Sequence, residues 1–283
     1  MLFEQVKDIV DKEKSRKSRQ GYIINLIKEY LQNIVLEYIY GSKEINQQLV
    51  FTGGTCLRFC FGLPRLSEDL DFDCESTLDH AFLAQSLKKH FLDTLRYPDI
   101  DVMVKGRERK IYLKFPILER LGLSYNESPM LLLKVKIARA SLKNAVIETS
   151  MIDKNGLNYF LRRYSMPDLM AGKIHAFLTR LFFKGKENEI DSKGRDMYDL
   201  VWYMGKNIIP NAKRLSVLFA KTKYEKMPWL EMLKDIQDRA EKVRKNHLAL
   251  DLANFIEDPK HLDNFLDNYL NVIHQYCRQT HSA

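Results

Sequence analysis

The sequence predicts an α+β fold in which a small mixed β-sheet lies between an N-terminal helical segment and an all-helical C-terminal region. Apolar residues recur at helical spacing over residues 3–40. Short strand-like runs and one helical stretch occupy residues 48–151. From residue 166 the apolar spacing is helical again, almost to the end of the chain.

The order of the elements follows from these patterns. In the central region, strands are expected near residues 48–52, 70–74, 99–104, 110–115, 130–138 and 144–151, with a helix over residues 79–95. A helix over residues 166–183 places Lys173 near its middle, and another helix begins near Arg195. Between them, the glycines, acids and lysines of residues 184–193 predict a mobile loop. Residues 211–280 are expected to be entirely helical.

Length and composition limit the class of protein. A chain of 283 residues can form two modest domains. We expect an α/β core with N-terminal helices over residues 1–160 and a helical domain over residues 161–283. The four cysteines form no C-x-x-C pair, which argues against a zinc site or a disulfide framework. The N-terminus is unlike a signal peptide, and no run of about 20 apolar residues predicts a membrane span. We therefore expect a cytoplasmic protein without a membrane partner.

The chain is strongly basic. Its formal net charge of +8 favours a polyanionic partner or substrate. Lysine and arginine concentrate in residues 12–19, 105–114, 162–163 and 184–193. The aromatic residues interleaved with some of these clusters are Tyr112, Phe115, Tyr159, Phe160 and Tyr164. Such surfaces suit a phosphate backbone and the stacking of an unpaired nucleotide, although any one cluster could equally be a solvated face.

A glycine turn follows the first predicted strand. Gly53 and Gly54 allow a tight turn whose backbone N–H groups approach a ligand, and Thr55 can cap the helix that comes next. The start of a helix attracts phosphate oxygens. Two adjacent glycines alone are more often a plain connection between elements, so the prediction of a ligand site depends on the acidic residues that come after them.

Aspartates alternate on the next predicted strand. The side chains of Asp69, Asp71 and Asp73 leave the same face because a strand has a period of two. Carboxylates in this otherwise apolar run would be costly unless a cation neutralised them. Asp69 and Asp71 could hold one or two Mg²⁺ ions, which would clamp a triphosphate and activate an attacking hydroxyl. Asp73 and Glu75 are weaker candidates that could simply face solvent.

Two further charged motifs lie in the C-terminal helices. Lys173 could reach a phosphate or merely extend from a helix surface. Asp196 lies at the electropositive start of the next helix, and Asp199 is its i+3 neighbour on the same face. Helix capping and surface ion pairing explain Asp199 as well as catalysis does.

Together these motifs resemble the AbiEii/AbiGii toxin family, which also includes the MenT toxins. The Gly-Gly-Thr turn and the later segment Gly-Leu-Pro-Arg-Leu-Ser-Glu-Asp-Leu-Asp-Phe-Asp, residues 62–73, are similar to the family's first motif. Residues 168–173 match its Asp-x4-Lys motif, and residues 195–200 match its fourth motif. The resemblance covers about residues 45–205, with the motifs in the family's order. Members are minimal nucleotidyltransferases of the DNA polymerase β-like superfamily.

The resemblance implies a Mg²⁺-dependent toxin that transfers a nucleoside monophosphate from an NTP to an RNA acceptor, such as the 3′ end of tRNA. It also implies a toxin–antitoxin or phage-defence system and a cognate antitoxin protein. The implied catalytic residues are Asp69, Asp71, Lys173 and Asp196, with Asp69 and Asp71 as metal ligands. The implied nucleotide-binding residues are Gly53, Gly54, Thr55, Arg58, Ser67, Lys173 and Arg195.

One position departs from the family's pattern. The superfamily commonly adds a third carboxylate, which this family writes approximately as Lys-Val-Glu-Ile, but here Lys136 stands at the acidic position. Glu148 on the following strand could replace it, although an edge-strand glutamate that faces water explains Glu148 better. Two alternatives therefore stay open. The chain could modify a protein or a small molecule, or it could be a catalytically weakened nucleotide- or RNA-binding module.

Overall fold

A computed structural model describes residues 2–106, 110–123, 129–179 and 193–281 of the chain. These ranges contain a seven-stranded mixed sheet and helices that precede, interrupt and follow it. The predicted α+β class is therefore confirmed. The chain divides into two compact units, one of Met1–Leu142 with Ile147–Arg163 and the other of Lys143–Val146 with Tyr164–Ala283.

The first unit carries the sheet. Its helices are α1 (Leu2–Ser15), α2 (Gln20–Gly41), α3 (Gly53–Phe61) and α4 (His80–Lys89), and its strands are β1 (Val50–Thr52), β2 (Asp69–Cys74), β3 (Asp101–Lys105), β4 (Lys110–Phe115), β5 (Leu131–Arg139), β6 (Ile147–Lys154) and β7 (Leu157–Tyr164). The strand order is β3-β4-β5-β2-β1-β7-β6. β2 is central, because it pairs antiparallel with β1 on one side and parallel with β5 on the other.

The two faces of the sheet differ in character because residues directly opposite each other on paired strands share a face. Phe51 lies opposite Phe72, and Phe72 lies opposite Ile137. These side chains are buried, and the rings of Phe51 and Phe72 are 5.3 Å apart. On the other face, Asp71 lies between Thr52 of β1 and Lys136 of β5. We call this second surface the polar face.

One strand was not predicted. β7 forms a hairpin with β6 through Asn155 and Gly156, whose φ angles are 55° and 74°. A type I′ turn requires two consecutive residues with positive φ, and the dipeptide Asn-Gly is its strongest sequence signal. From this segment the sequence-based predictions used the basic pair Arg162-Arg163 and the aromatic residues Tyr159, Phe160 and Tyr164, but they did not assign a strand. The strand that was predicted over residues 144–151 is observed as β6, Ile147–Lys154.

Helical segments were predicted more closely than strands. The N-terminal helix is divided at Lys17, whose φ is 58°. The predicted helix over residues 79–95 consists of α4 and a five-residue π-helical turn, His90–Thr94. Asp79 caps α4, because its carboxylate accepts hydrogen bonds from the backbone N–H groups of Ala81 and Phe82.

The second unit is helical, as expected. Its helices are α5 (Met166–Thr179), α6 (Gly194–Gly205), α7 (Ala212–Leu218), α8 (Trp229–Glu241), α9 (Lys245–Leu252) and α10 (Pro259–His281). The predicted loop at residues 184–193 lies outside the described residues, apart from Lys193, and so does the end of the helix predicted to reach residue 183. In the parts of the chain that the structure describes, no helix is long and apolar enough to span a membrane.

Glu29 of α2 holds the helix that begins at the glycine turn. Its carboxylate accepts a hydrogen bond from Arg58 Nε of α3 at 2.7 Å and one from Lys154 Nζ of β6 at 2.6 Å. Burial alone would raise the pKa of Glu29, but hydrogen bonds and charge interactions with Arg58 and Lys154 outweigh it and lower the pKa. The buried glutamate therefore stays ionised and fastens α3 to α2 and β6.

Replacing Glu29 by glutamine should destabilise the protein in a pH-dependent way. We expect Glu29→Gln to lower the free energy of unfolding by about 2 kcal/mol at pH 7, less than for a fully buried pair because Arg58 and Lys154 keep contact with solvent. Because the folded pKa lies below the unfolded value of 4.5, this contribution is complete above pH 4.5 and is lost as the pH falls through the folded pKa. Urea unfolding monitored by circular dichroism at several pH values measures it.

Glu68→Gln is the matched control, since Glu68 pairs with Lys28 at 3.4 Å in a more exposed position. It should change the free energy of unfolding by less than about 0.5 kcal/mol. A difference between wild type and Glu29→Gln that stays constant down to pH 3 would contradict the assignment of an ionised Glu29.

Candidate functional site

The glycine turn and the alternating aspartates meet at Gly53. This residue follows Thr52, the last residue of β1, and starts α3 with a φ of 79°. A Cβ atom at Gly53 would lie 2.6 Å from Oδ2 of Asp71. Both the positive φ and this approach require glycine. The first turn of α3 therefore lies directly against a carboxylate of β2.

Arg65 supports the second glycine and was missed in the sequence-based predictions. A Cβ atom at Gly54 would lie 2.7 Å from a terminal nitrogen of Arg65 and 3.1 Å from Oγ of Ser67. Arg65 is buried, and its guanidinium donates a hydrogen bond to the carbonyl oxygen of Leu66 at 2.7 Å. Its position two residues before Ser67 was the available signal. The Arg65 side chain therefore packs against Gly54 and helps to position the glycine turn.

Thr55 does not cap α3, so that prediction was wrong. The N-cap is Thr52, because the helix already begins at Gly53. Thr55 lies inside the first turn, where its buried hydroxyl donates a hydrogen bond to the backbone carbonyl of Asp69 at 2.5 Å. It therefore joins α3 to the start of β2 and holds the glycine turn next to the aspartates.

Asp69 and Asp71 lie on the polar face with two lysines of β5. The parallel register puts Lys134 opposite Asp69 and Lys136 opposite Asp71. Lys136 Nζ lies 2.5 Å from Asp69 Oδ2 and 3.4 Å from Asp71 Oδ1, and Lys134 Nζ lies 3.6 Å from Asp69 Oδ1. Burial lowers the pKa of Lys136, but the charges of Asp71 and Asp69 outweigh it and raise the pKa. The ammonium group bridges the two carboxylates.

The carboxylate pair has the donor chemistry that Mg²⁺ prefers, namely oxygen ligands. Among the described residues, no group of three or more His, Cys, Asp or Glu side chains is placed to hold a metal ion. The site thus offers two carboxylates and a lysine, where the resemblance described above implies three acids. This arrangement fits a divalent ion in donor type but offers it less negative charge.

Glu148 does not replace the missing acid. It is exposed on the edge strand β6, and its carboxylate forms an ion pair with Arg163. Arg163 lies opposite Phe51 in the register of β1 and β7. Phe51 belongs to the apolar face, so Glu148 is directed away from Asp69 and Asp71.

Two other predicted nucleotide-binding residues have partners in the first unit. Arg58 donates hydrogen bonds to Glu29 and to the carbonyl oxygen of Leu63 at 3.1 Å. Ser67 is nearly buried, and its backbone carbonyl accepts a hydrogen bond from the Gln32 side chain at 3.0 Å. Their roles toward a nucleotide stay predictions. The structure gives Arg58 a fastening role and places the Ser67 hydroxyl beside the glycine turn.

In the second unit, Lys173 lies between two aspartates of α6. Its Nζ is 2.8 Å from Asp196 Oδ1 and 2.8 Å from Asp199 Oδ2. The exposed fractions of the Lys173 and Asp199 side chains are 12% and 0%. Lys173 therefore does not extend from a helix surface, and Asp199 is not a surface ion pair. The i, i+3 spacing places both carboxylates on the face of α6 that meets α5.

The remaining charged residues of the two C-terminal motifs organise the second unit. Asp168 accepts hydrogen bonds from the Ser165 hydroxyl, the Val146 backbone N–H at 3.0 Å and the Asn211 amide at 2.9 Å. The Arg195 guanidinium lies 3.5 Å from the Asp251 carboxylate and 4.3 Å from the centre of the Phe255 ring. The nucleotide-binding role of Arg195 stays a prediction.

Most of the aromatic residues that were candidates for stacking are buried. Phe115, Tyr159 and Tyr164 belong to the core, so they cannot receive a nucleotide base. Phe160, in contrast, is 64% exposed. Since Arg163 lies on the apolar face, Phe160 and Arg162 lie on the polar face with the aspartates. Of the basic clusters, residues 107–109 and 184–192 lie outside the described residues.

Comparison with known proteins gives a family match over most of the chain. The sequence model described as the nucleotidyl transferase AbiEii toxin of type IV toxin–antitoxin systems matches residues 38–271. The structure is similar to that of the nucleotidyltransferase toxin MenT4 from Mycobacterium tuberculosis, with 15% sequence identity and a TM-score of 0.55, covering 96% of this chain and 92% of that one. JHP933 from Helicobacter pylori is 19% identical with a TM-score of 0.47, over 91% and 95% of the two chains. No curated protein matched the sequence.

A methyl group at Gly53 should disturb the carboxylate as well as the backbone. We expect Gly53→Ala to lower the free energy of unfolding by more than the ~1 kcal/mol that positive φ costs an alanine, because its Cβ would also collide with Asp71. Urea unfolding measures the difference.

Gly62→Ala is the control at the other end of α3. Gly62 has a φ of 71° and no atom within 4 Å of a Cβ position. This variant should therefore lose only the stability that a positive φ costs an alanine. Equal losses of stability in both variants would refute the contact between the turn and Asp71.

Removing the Lys173 charge should destabilise the protein, because two buried carboxylates would lose their counterion. We expect Lys173→Met to lower the free energy of unfolding by about 3 kcal/mol or more, measured by urea unfolding. Lys234→Met on the exposed side of α8 is the control and should change stability little. An unchanged unfolding midpoint in Lys173→Met would show that the two aspartates do not depend on this lysine.

Proposed function

The chain belongs to the AbiEii family of nucleotidyltransferase toxins, and on that premise we propose that it transfers a nucleoside monophosphate from an NTP to the 3′ end of an RNA, specifically a tRNA. The family implies an NTP substrate and, as a type IV toxin–antitoxin family, an antitoxin partner. The RNA acceptor, the dependence on Mg²⁺ and a role in toxin–antitoxin or phage-defence biology are parts of the proposal.

The contact between Gly53 and Asp71 is the observation that carries the transfer reaction. It brings backbone N–H groups at the start of α3 next to a carboxylate pair on β2. A triphosphate bound by those N–H groups would have its metal ligands, Asp69 and Asp71, at its side. Nucleotidyl transfer requires this combination, because the leaving pyrophosphate and the reacting phosphorus must both be held.

Each residue then has a defined part. The backbone of Gly53–Thr55 and the Ser67 hydroxyl bind the triphosphate, and Asp69 and Asp71 hold Mg²⁺. The bound ion would offset the charge of the triphosphate and activate the attacking hydroxyl. We assign Lys173 to neutralising phosphate charge and Asp196 to orienting or activating a reactant. The ion pair between them keeps both side chains in fixed positions before substrate arrives.

The polar face supports a nucleic-acid acceptor. Besides the aspartates it carries Arg162, the exposed ring of Phe160 and Tyr112, which lies opposite Lys134 in the register of β4 and β5. Cationic side chains attract a phosphate backbone, and an exposed ring can stack on an unpaired base. The net charge of +8 favours the same class of acceptor.

A nucleotide-binding module with little transfer activity is the second candidate, and Lys136 is the observation that favours it. A lysine at the position of the third acid cannot take a proton from the acceptor hydroxyl while it is charged. In this case the protein would bind NTP without releasing pyrophosphate.

Transfer should depend on Asp69. We expect incubation with Mg²⁺, total tRNA and each α-³²P-labelled NTP in turn to label tRNA, and Asp69→Asn to reduce the rate roughly 100-fold or more because a metal ligand is lost. Asp73→Asn, on the same strand and face, is the matched control and should keep most of the activity. Gel electrophoresis of the labelled RNA measures the product.

Periodate-oxidised tRNA, which has no 3′-hydroxyl, should not be labelled if the acceptor is the 3′ end. Label that appears on protein or on a small molecule would show that the acceptor is not RNA. Tight NTP binding without pyrophosphate release would favour the binding module. Equal labelling by wild type and Asp69→Asn would remove Asp69 from the mechanism.

A further inference from the structure

Lys136 occupies a defined position in the sheet. β2 and β5 run parallel with six residues of each strand in register, from Asp69 opposite Lys134 to Cys74 opposite Arg139. Lys136 is in the middle of this ladder, opposite Asp71, so the pairing of β5 with β2 fixes its backbone. A side chain from this position can only project onto the polar face, where the two aspartates lie.

The ammonium group of Lys136 touches both carboxylates at once. Its distances of 2.5 Å to Asp69 and 3.4 Å to Asp71 are those of direct ion pairs. Lys134 contacts only Asp69, at the longer distance of 3.6 Å. The two carboxylates are therefore already neutralised by Lys136, which bridges them, and by Lys134, which lies next to Asp69.

The cluster is partly exposed, so a ligand can reach it. The exposed fractions of the Lys136 and Asp69 side chains are 33% and 25%. Partial burial also weakens the screening by water, so that an extra positive charge is felt more strongly here than in bulk solvent. A divalent cation and the ammonium group would compete for the same oxygen atoms.

We propose that Lys136 is the resident cation of the Asp69–Asp71 pair and excludes a divalent ion from the position between the two carboxylates in the nucleotide-free protein. This inference rests on the proposed function, in which the pair is the metal site. The charged ammonium has no lone pair, so Lys136 is neither a metal ligand nor a proton acceptor. A divalent ion then binds well only when the triphosphate supplies further negative charge, which makes the nucleotide responsible for loading the metal.

Binding of Mn²⁺ alone to the full chain tests the proposal without any transfer reaction. The free Mn²⁺ signal in electron paramagnetic resonance gives the affinity. Wild type should bind Mn²⁺ weakly, whereas Lys136→Met should bind it roughly tenfold or more tightly because the competing charge is gone. Lys136→Gln, which keeps an N–H donor without the charge, should show the same gain.

Two controls separate this role from a general charge effect. Lys134→Met removes a positive charge from the same strand and face but should gain less, because Lys134 contacts one carboxylate at longer distance. Adding Asp69→Asn to Lys136→Met should abolish the gain. An affinity of wild type equal to that of both Lys136 variants, an equal gain in Lys134→Met, or a gain that survives the loss of Asp69 would each overturn the proposal.

The result is independent of the transfer assay. Label on tRNA with unchanged Mn²⁺ affinity in the Lys136 variants would overturn only the role of Lys136. Tighter Mn²⁺ binding by those variants, with no transfer by wild type to any acceptor, would support the resident cation and overturn the proposed reaction.

Discussion

The parallel pairing of β2 with β5 decides the chemistry of the polar face. Because opposite residues share a face, this register sets Lys134 and Lys136 beside Asp69 and Asp71. A shift by one residue would turn both lysines into the core and expose apolar side chains in their place. The position of the glycine turn depends on the same strand, since Thr55 and Gly53 both contact β2.

Several charged residues of the motifs form contacts that stabilise the fold, whatever part they take in binding substrate. Arg58 fastens α3 through Glu29, and Lys173 is the counterion of two buried aspartates. A buried charge without a partner is costly, whereas a paired one fixes the elements that carry it. Loss of activity on replacing such a residue is therefore informative only when stability is measured too.

The sequence predicted the features that depend on local spacing. The period of two placed the aspartates on one face, and helical periodicity identified the C-terminal helices. Prediction failed for features that depend on the pairing of strands that are distant in the sequence. Phe115, Tyr159 and Tyr164 were candidates for stacking on a nucleotide, but all three are buried. Tyr159 lies on β7, a strand that had not been predicted, and shares the apolar face with Arg163. The favoured interpretation of Glu148, an exposed glutamate on an edge strand, is in contrast confirmed. Lys136 was noticed as a departure from the pattern, but its partners follow only from the register.

The charge at position 136 also has a genetic consequence. Codons for lysine and glutamate differ only at their first base, so a single nucleotide substitution could replace the cation by an acid. The cluster that now contains two carboxylates and a bridging ammonium would then contain three carboxylates at the same place in the sheet. The scaffold would not need to change, because β5 would keep its backbone pairing with β2 and β4. A reversal of the charge at position 136 is therefore one mutational step away.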